Sequence, residues 1–182
     1  MQTPISPHRE YGVSGSENWA EMSISYRPIG VIHSSFERIE DMPIQPTGAA
    51  GIRGTVEVLA EYADGLKDLE GFSHLILLYH FHRAKKARLT VTPFLDTESR
   101  GLFATRAPSR PNPIGLSVVK LLRVEGKTLL IENVDIVDGT PLLDIKPYVP
   151  EFDHGERARI GWLGAAREKI GETRADSRFG AY

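Results

Sequence analysis

The chain has no cysteine among its 182 residues, which removes disulfides, thiolate nucleophiles and thiolate metal sites together. That absence fits a reducing compartment, and a cytoplasmic location is expected. No run approaches the roughly 20 apolar residues of a membrane-spanning helix. The opening MQTPISPHREYGVSGSENW lacks the basic segment followed by an apolar one that marks a secretory signal. Net charge is nearly absent as well: 22 Lys and Arg stand against 24 Asp and Glu, a formal −2. Any polyanion must therefore be met by a local basic patch. The glycines at 48, 51 and 54 are spaced G-x-x-G-x-x-G, not G-x-G-x-x-G, and no helical pattern follows them, so a Rossmann reading fails.

What is present is ordinary for a globular protein: 41% apolar and 25% charged residues, over a length that favours one domain. Residues 1–24 are rich in Ser, Pro and Gly without apolar periodicity, and are expected to form a loose arm. YRPIGVIHS alternates as a strand, with Ile29, Val31 and His33 sharing a face. TVEVLAEYADGLKDLEGF reads as a strand and then a short helix that Gly71 terminates. SHLILLYHFHR is a strand with both faces buried or nearly so. RLTVTPFL and GLFATR are short strand candidates. IGLSVVKLLRVEGKTLLIENVDIV reads as a hairpin about Glu125-Gly126-Lys127, and LLDIKPYV adds a strand. Strands here follow strands, so the expected fold is mainly β: an antiparallel single-sheet β-barrel with a short helix between strands and a C-terminal helical tail. The expected units are an arm at 1–24, a barrel at 25–153, and a short helix and tail at 154–182, the helix lying in ERARIGWLGAAREKIG.

Three stretches hold side chains suited to chemistry. On a strand, His80 and His82 would point to one face, where they either begin a metal site, edge the core, or bind a ligand together with Arg83. In ATRAPSRPNPIG, Pro108, Pro111 and Pro113 fix φ and remove N–H groups, so the segment is no central strand. It is either a rigid connector with solvated arginines or a pre-organised holder that aims Arg106 and Arg110 at a carboxylate or phosphate, with the Asn112 amide beside them. In NVDIVDGTPLLDIKPY, Asp138-Gly139 is a turn signal. Asp135, Asp138 and Asp144 also supply carboxylates that can accept hydrogen bonds or act as a general base, with Lys146 and Tyr148 close behind.

Taken together, PIGVIHSSF, GFSHLILLYHFHRA, GLFATRAPSRPNPIGLSVVKL and VDIVDGTPLLDIKPYVPEFD resemble the TsaA-like family of S-adenosylmethionine-dependent tRNA methyltransferases, over about residues 27–153. The resemblance implies a β-barrel homodimer with S-adenosyl-L-methionine near the subunit interface and no metal. The implied reaction is methylation at N6 of N6-threonylcarbamoyladenosine, next to the anticodon of tRNA. Carried over by motif, the cofactor-contacting positions are Pro43, Ile44 and Gln45; His82 and Arg83, the latter standing where the family pattern has Gln; Arg106 and Leu116; and Glu132, Asn133, Val134 and Asp135. Arg106 or Arg110 would hold the threonyl carboxylate or a backbone phosphate. Asp138 is the expected base or orienting acceptor, and Asn112, Lys146 and Tyr148 would position substrate. Some family members have a longer C-terminal extension; here the basic residues Arg157, Arg159, Arg167, Lys169, Arg174 and Arg178 would take its part against tRNA. Two alternatives remain open at this point: the same barrel with a small-molecule acceptor, and a cofactor-binding module without turnover.

Overall fold

A computed structural model describes residues 23–40, 42–84, 86–155 and 158–179. Most of the expected arm, Arg157, and the side chain of Arg167 lie outside what is described. Eight strands occur among the described residues: β1 (Gly30–His33), β2 (Arg53–Val58), β3 (His74–His80), β4 (Thr90–Val91), β5 (Arg100–Gly101), β6 (Ile114–Glu125), β7 (Thr128–Glu132) and β8 (Thr140–Pro147). Six of them close into a barrel in the order β1-β2-β7-β6-β3-β8, every neighbour antiparallel, with Gly30 opposite Leu142 where β1 and β8 complete the ring. β4 and β5 pair as a small separate ribbon.

The barrel forms because the strands alternate with period two. β3 sends Leu75, Leu77 and Tyr79 inward, and β6 sends Gly115, Ser117, Val119 and Leu121. With Ile32, Val56, Val58, Leu129, Ile131 and Leu142 they make the main core. On β1 the inward pair is Gly30 and Ile32, so Val31 and His33 face outward, while Ile29, just before the strand, packs against the core instead of sharing their face. The outer residues Ile76 and Leu78 of β3 are only half-buried, because the barrel wall is only partly covered there. The hairpin between β6 and β7 turns on Gly126 and Lys127, with Gly126 at φ 59°, the positive φ that a two-residue turn beginning with Gly requires.

Several expected elements take another form. The helix before β3 is two 3-10 segments, Ala60–Leu66 and Leu69–Gly71. GLFATR contributes only the two-residue β5 and a 3-10 turn, Leu102–Ala104. The C-terminal helix is 3-10 as well, Gly161–Lys169. The residues after it are not loose: Ala175 and Phe179 are buried in two small clusters beside the barrel, one around Met42 and Val137, the other around Val91 and Leu102. The Ala175 amide donates to the Met42 carbonyl at 2.7 Å, and Arg178 Nη1 donates to the Pro93 carbonyl at 2.9 Å.

β3 ends at His80. The His82 amide donates to the His80 carbonyl at 2.8 Å, so the chain turns before His82, and the strand geometry that would set the two imidazoles on one face stops short. Among the described residues no group of three His, Asp or Glu is placed to hold a metal ion.

Candidate functional site

One end of the barrel opens into a cavity of about 790 Å³, the size and shape range of small-molecule sites. Its walls come from six places: the loop from Ile39 to Thr47, the end of β3 running on to Ala84, the 93–95 segment after β4, the proline-rich loop into β6, the 135–140 segment, and the C-terminal turns. Most of the lining is apolar, including Met42, Phe81, Phe94 and Phe103. Trp162 belongs to this wall and is pinned by its indole N–H to the Ala104 carbonyl at 2.8 Å.

Inside that apolar wall sits a polar chain. Ser117 Oγ donates to Asp135 Oδ1 at 2.7 Å, and Tyr79 Oη lies 3.0 Å from the same Ser117 oxygen. Since the single Ser117 proton goes to Asp135, the Tyr79 hydroxyl must donate to Ser117. Desolvation pushes the Asp135 carboxyl up to about 6, against the lowering effects of the Ser117 bond and the Arg106 charge. Burial first, and the Asp135 charge second, raise the Tyr79 phenol and keep it neutral. Gly115 makes room for this arrangement: a Cβ there would overlap the Tyr79 ring.

His82 lies at the rim. Burial lowers its pKa, and the Arg83 and His80 charges lower it further. Arg83 Nε donates to His82 Nε2 at 3.3 Å, which leaves the proton of the neutral ring on Nδ1, facing Thr140 Oγ1 at 3.4 Å. Three guanidinium groups line the cavity. Arg83 donates to the Glu37 carbonyl, Arg106 to Gln45 Oε1, and Arg110 to the Thr105 and Ala107 carbonyls. Among the described residues none of the three forms an ion pair. Arg110 also lies 5.7 Å from the centre of the exposed Phe103 ring. The proline-rich loop holds this pose through two tight local bonds, Arg110 N–H to the Pro108 carbonyl and Ile114 N–H to the Asn112 carbonyl.

A family model described as the tRNA-methyltransferase O N-terminal domain matches residues 31–154. The chain belongs to the tRNA-methyltransferase O N-terminal domain family. A probable S-adenosyl-L-methionine-binding protein of Pyrococcus abyssi is 59% identical over 158 residues, covering 87% of this chain and 86% of that protein. The tRNA (adenine(37)-N6)-methyltransferase of Escherichia coli is 41% identical over 138 residues, covering 70% of this chain and 59% of that enzyme. The crystal structure of TrmO from Pseudomonas aeruginosa superposes with a TM-score of 0.66 at 43% identity, covering 78% of this chain and 63% of that one. The chain thus spans less than two thirds of the length of these last two relatives.

Set on the family's barrel, nine of the residues singled out from sequence meet in the cavity lining: Pro43, Ile44, Gln45, His82, Arg83, Arg106, Arg110, Leu116 and Asp135. The others lie elsewhere, for reasons the strands supply. Glu132 ends β7 and faces Lys120 at 3.5 Å and Arg53 at 4.0 Å. Asn133, at φ 69°, accepts from the Gly51 amide, and Val134 is fully buried in the core. Asn112 is exposed on the proline-rich loop. Lys146 pairs with Asp144 at 2.7 Å and sits six residues along β8 from Thr140, about 20 Å at strand spacing. Tyr148 is beyond it, edge-on to His74.

Asp138 is not part of the lining. Its Oδ1 accepts from the Ser34 amide and faces His33 Nδ1, both at 3.1 Å. Desolvation raises its pKa, but the bonds from Ser34 and His33 outweigh that and the net shift is downward. Sequence reasoning missed Tyr79, Ser117, Phe103, Trp162 and Phe179. Of these Ser117 left a signal, as a polar residue at an inward position of an otherwise apolar strand, where burial demands a partner.

Proposed function

We propose that this chain is an S-adenosyl-L-methionine-dependent methyltransferase that acts on N6 of adenosine 37 in tRNA, on the base carrying the N6-threonylcarbamoyl group. The observation that bears most weight is one cavity in which nine motif residues from four distant segments converge. Family membership and the names of the relatives support the cofactor and the reaction class. The cavity also suits the cofactor on its own terms. Its volume accommodates a nucleoside with an amino-acid arm. The Gln45 amide can bond an adenine edge. Pro43, Ile44, Gln45, His82, Arg83, Arg106 and Leu116 would hold it.

When bound, the cofactor supplies an electrophilic methyl group. The chain's own residues must then do two things. They must hold the acceptor nitrogen in line, and they must take up its proton, because its lone pair is delocalised between a purine and a carbonyl and attacks poorly. Arg110, and Arg106 on its substrate side, are assigned to the threonyl carboxylate or a neighbouring phosphate, anions that a guanidinium without a carboxylate partner is free to meet. The prolines around Arg110 reduce the entropy lost when that anion arrives. The domain at 25–153 is proposed to act as a homodimer in the cytoplasm, with the exposed Ile114 and Leu116 of β6 beside the subunit contact. Light scattering tests the dimer, since a species of only 20.2 kDa would exclude it.

The deciding experiment is transfer of labelled methyl from S-adenosylmethionine to tRNA with and without the threonylcarbamoyl group. Label in the modified tRNA alone is the expected result. Saturable cofactor binding with no label in any tRNA would refute the tRNA-methyltransferase reading.

A further inference from the structure

We propose that Asp135 is the general base of the transfer, oriented by the Tyr79–Ser117 hydrogen-bond chain, and that Asp138 only ties the β1 exit to the turn before β8. This rests on the methyltransferase reading above.

The inference starts from position. A base must reach the acceptor nitrogen inside the cavity, and Asp135 is the one carboxylate among the lining residues described. Asp138 is outside the lining and already engaged by the Ser34 amide and His33. Orientation follows from the hydroxyl chain: Tyr79 and Ser117 are both almost fully buried, and their bonds run one way, phenol to serine to carboxylate. A carboxylate has acceptor capacity beyond the single Ser117 bond, so it can also accept the N6 proton. Tuning comes from the surroundings, since desolvation holds this carboxyl near 6, where it is ionised at neutral pH yet far more basic than an exposed aspartate. The charged or titratable groups that face it are Tyr79 from β3 and Arg106 from the proline-rich loop; Ser117 from β6 does not titrate. As N6 forms its bond to the methyl carbon, the carbon–sulfur bond breaks with its electron pair passing to sulfur. The N6 proton moves to Asp135, which later releases it to solvent.

The test separates a base from a cofactor ligand. Asp135→Asn keeps the shape and the acceptor for Ser117. It should lower kcat with saturating substrates by about 10² to 10⁴-fold, while calorimetric binding of S-adenosylmethionine stays within about threefold. Wild-type kcat/KM should rise with pH and level off above about 6. Ser117→Ala removes a bond that stabilises the ionised carboxylate, so the limb should move to higher pH, which a merely structural role would not do. If Asp135→Asn weakens cofactor binding more than about tenfold yet leaves kcat intact at saturation, Asp135 is a cofactor ligand and the inference fails. An unshifted limb in Ser117→Ala also counts against it, and this variant decides the matter should Asp135→Asn not fold. A wild-type protein that methylates no tRNA sinks the transferase reading and this inference together, whereas an active wild type with an equally active Asp135→Asn sinks this inference alone.

Discussion

At the scale of single residues, the burial of Asp135 should register in stability as well as in rate. Its folded pKa, about 6, lies above the 3.8 of an ordinary aspartate. Between those values the folded protein keeps a proton that the unfolded chain has released, so stability falls as pH rises from about 4 to about 6 and stays lower above that window. The full shift corresponds to up to about 3 kcal/mol. Asp135→Asn is therefore expected to gain roughly 1–3 kcal/mol over wild type at pH 8 and nothing at pH 4, read from urea midpoints at the two pH values. Gly115 makes the complementary case. Its missing Cβ is the space the Tyr79 ring occupies, so Gly115→Ala should destabilise by about 1–3 kcal/mol through overpacking. If urea denaturation found Gly115→Ala as stable as wild type, Tyr79 would not be held as tightly as its position implies. Reading the sequence reaches the 135–138 segment but selects Asp138, which lies outside the cavity lining. Strand alternation ends at Glu132, and Asn133 at φ 69° redirects the backbone, so no periodic rule says which aspartate turns inward.

At the scale of elements, what alternation governs was legible and what tertiary packing governs was not. The long hairpin of β6 and β7 and the β8 strand follow from β-rich runs and a Glu-Gly-Lys turn, whereas β3, read as buried on both faces, has only Leu75, Leu77 and Tyr79 inward. The end of β3 does not follow from such runs, because His82 is a plausible strand residue until its amide turns back to His80. The C-terminal segment was read by helical spacing as a surface helix and tail, whereas it folds as 3-10 turns whose apolar residues serve the cavity wall. None of the main barrel core comes from that segment. A chain ending at residue 158 should thus keep the barrel's β-type circular dichroism and cooperative melting. It should bind S-adenosylmethionine at least about tenfold more weakly, since Trp162, Leu163 and Phe179 would be lost from the wall. Unchanged affinity in calorimetry would show that the wall built by these turns does not touch the cofactor.

At the scale of the molecule, a formal charge of −2 coexists with three cavity arginines that have no carboxylate partner among the described residues. On the proposed function, recognition of tRNA would be a local electrostatic matter, and it should be salt-dependent. With Arg110 and Arg106 as the anion contacts, the slope of log affinity against log salt should be about −1.4 by the single-strand rule, and Arg110→Ala should flatten it by about 0.7. Filter binding at 50 to 200 mM salt reads this directly, and a slope unchanged in Arg110→Ala would remove that residue from the anion contacts.

The pairing of β1 with β8 has a consequence for how the protein is made. Gly30 meets Leu142, so the first barrel strand to leave the ribosome must wait for the last. At typical elongation rates that wait is on the order of 10 s. Throughout it one edge of β1 has no partner, the condition under which nascent β-sheet proteins pair with the wrong chain. The period of greatest risk for this barrel is thus its own synthesis, and slowing translation before codon 140 should reduce soluble yield more than slowing it after codon 147.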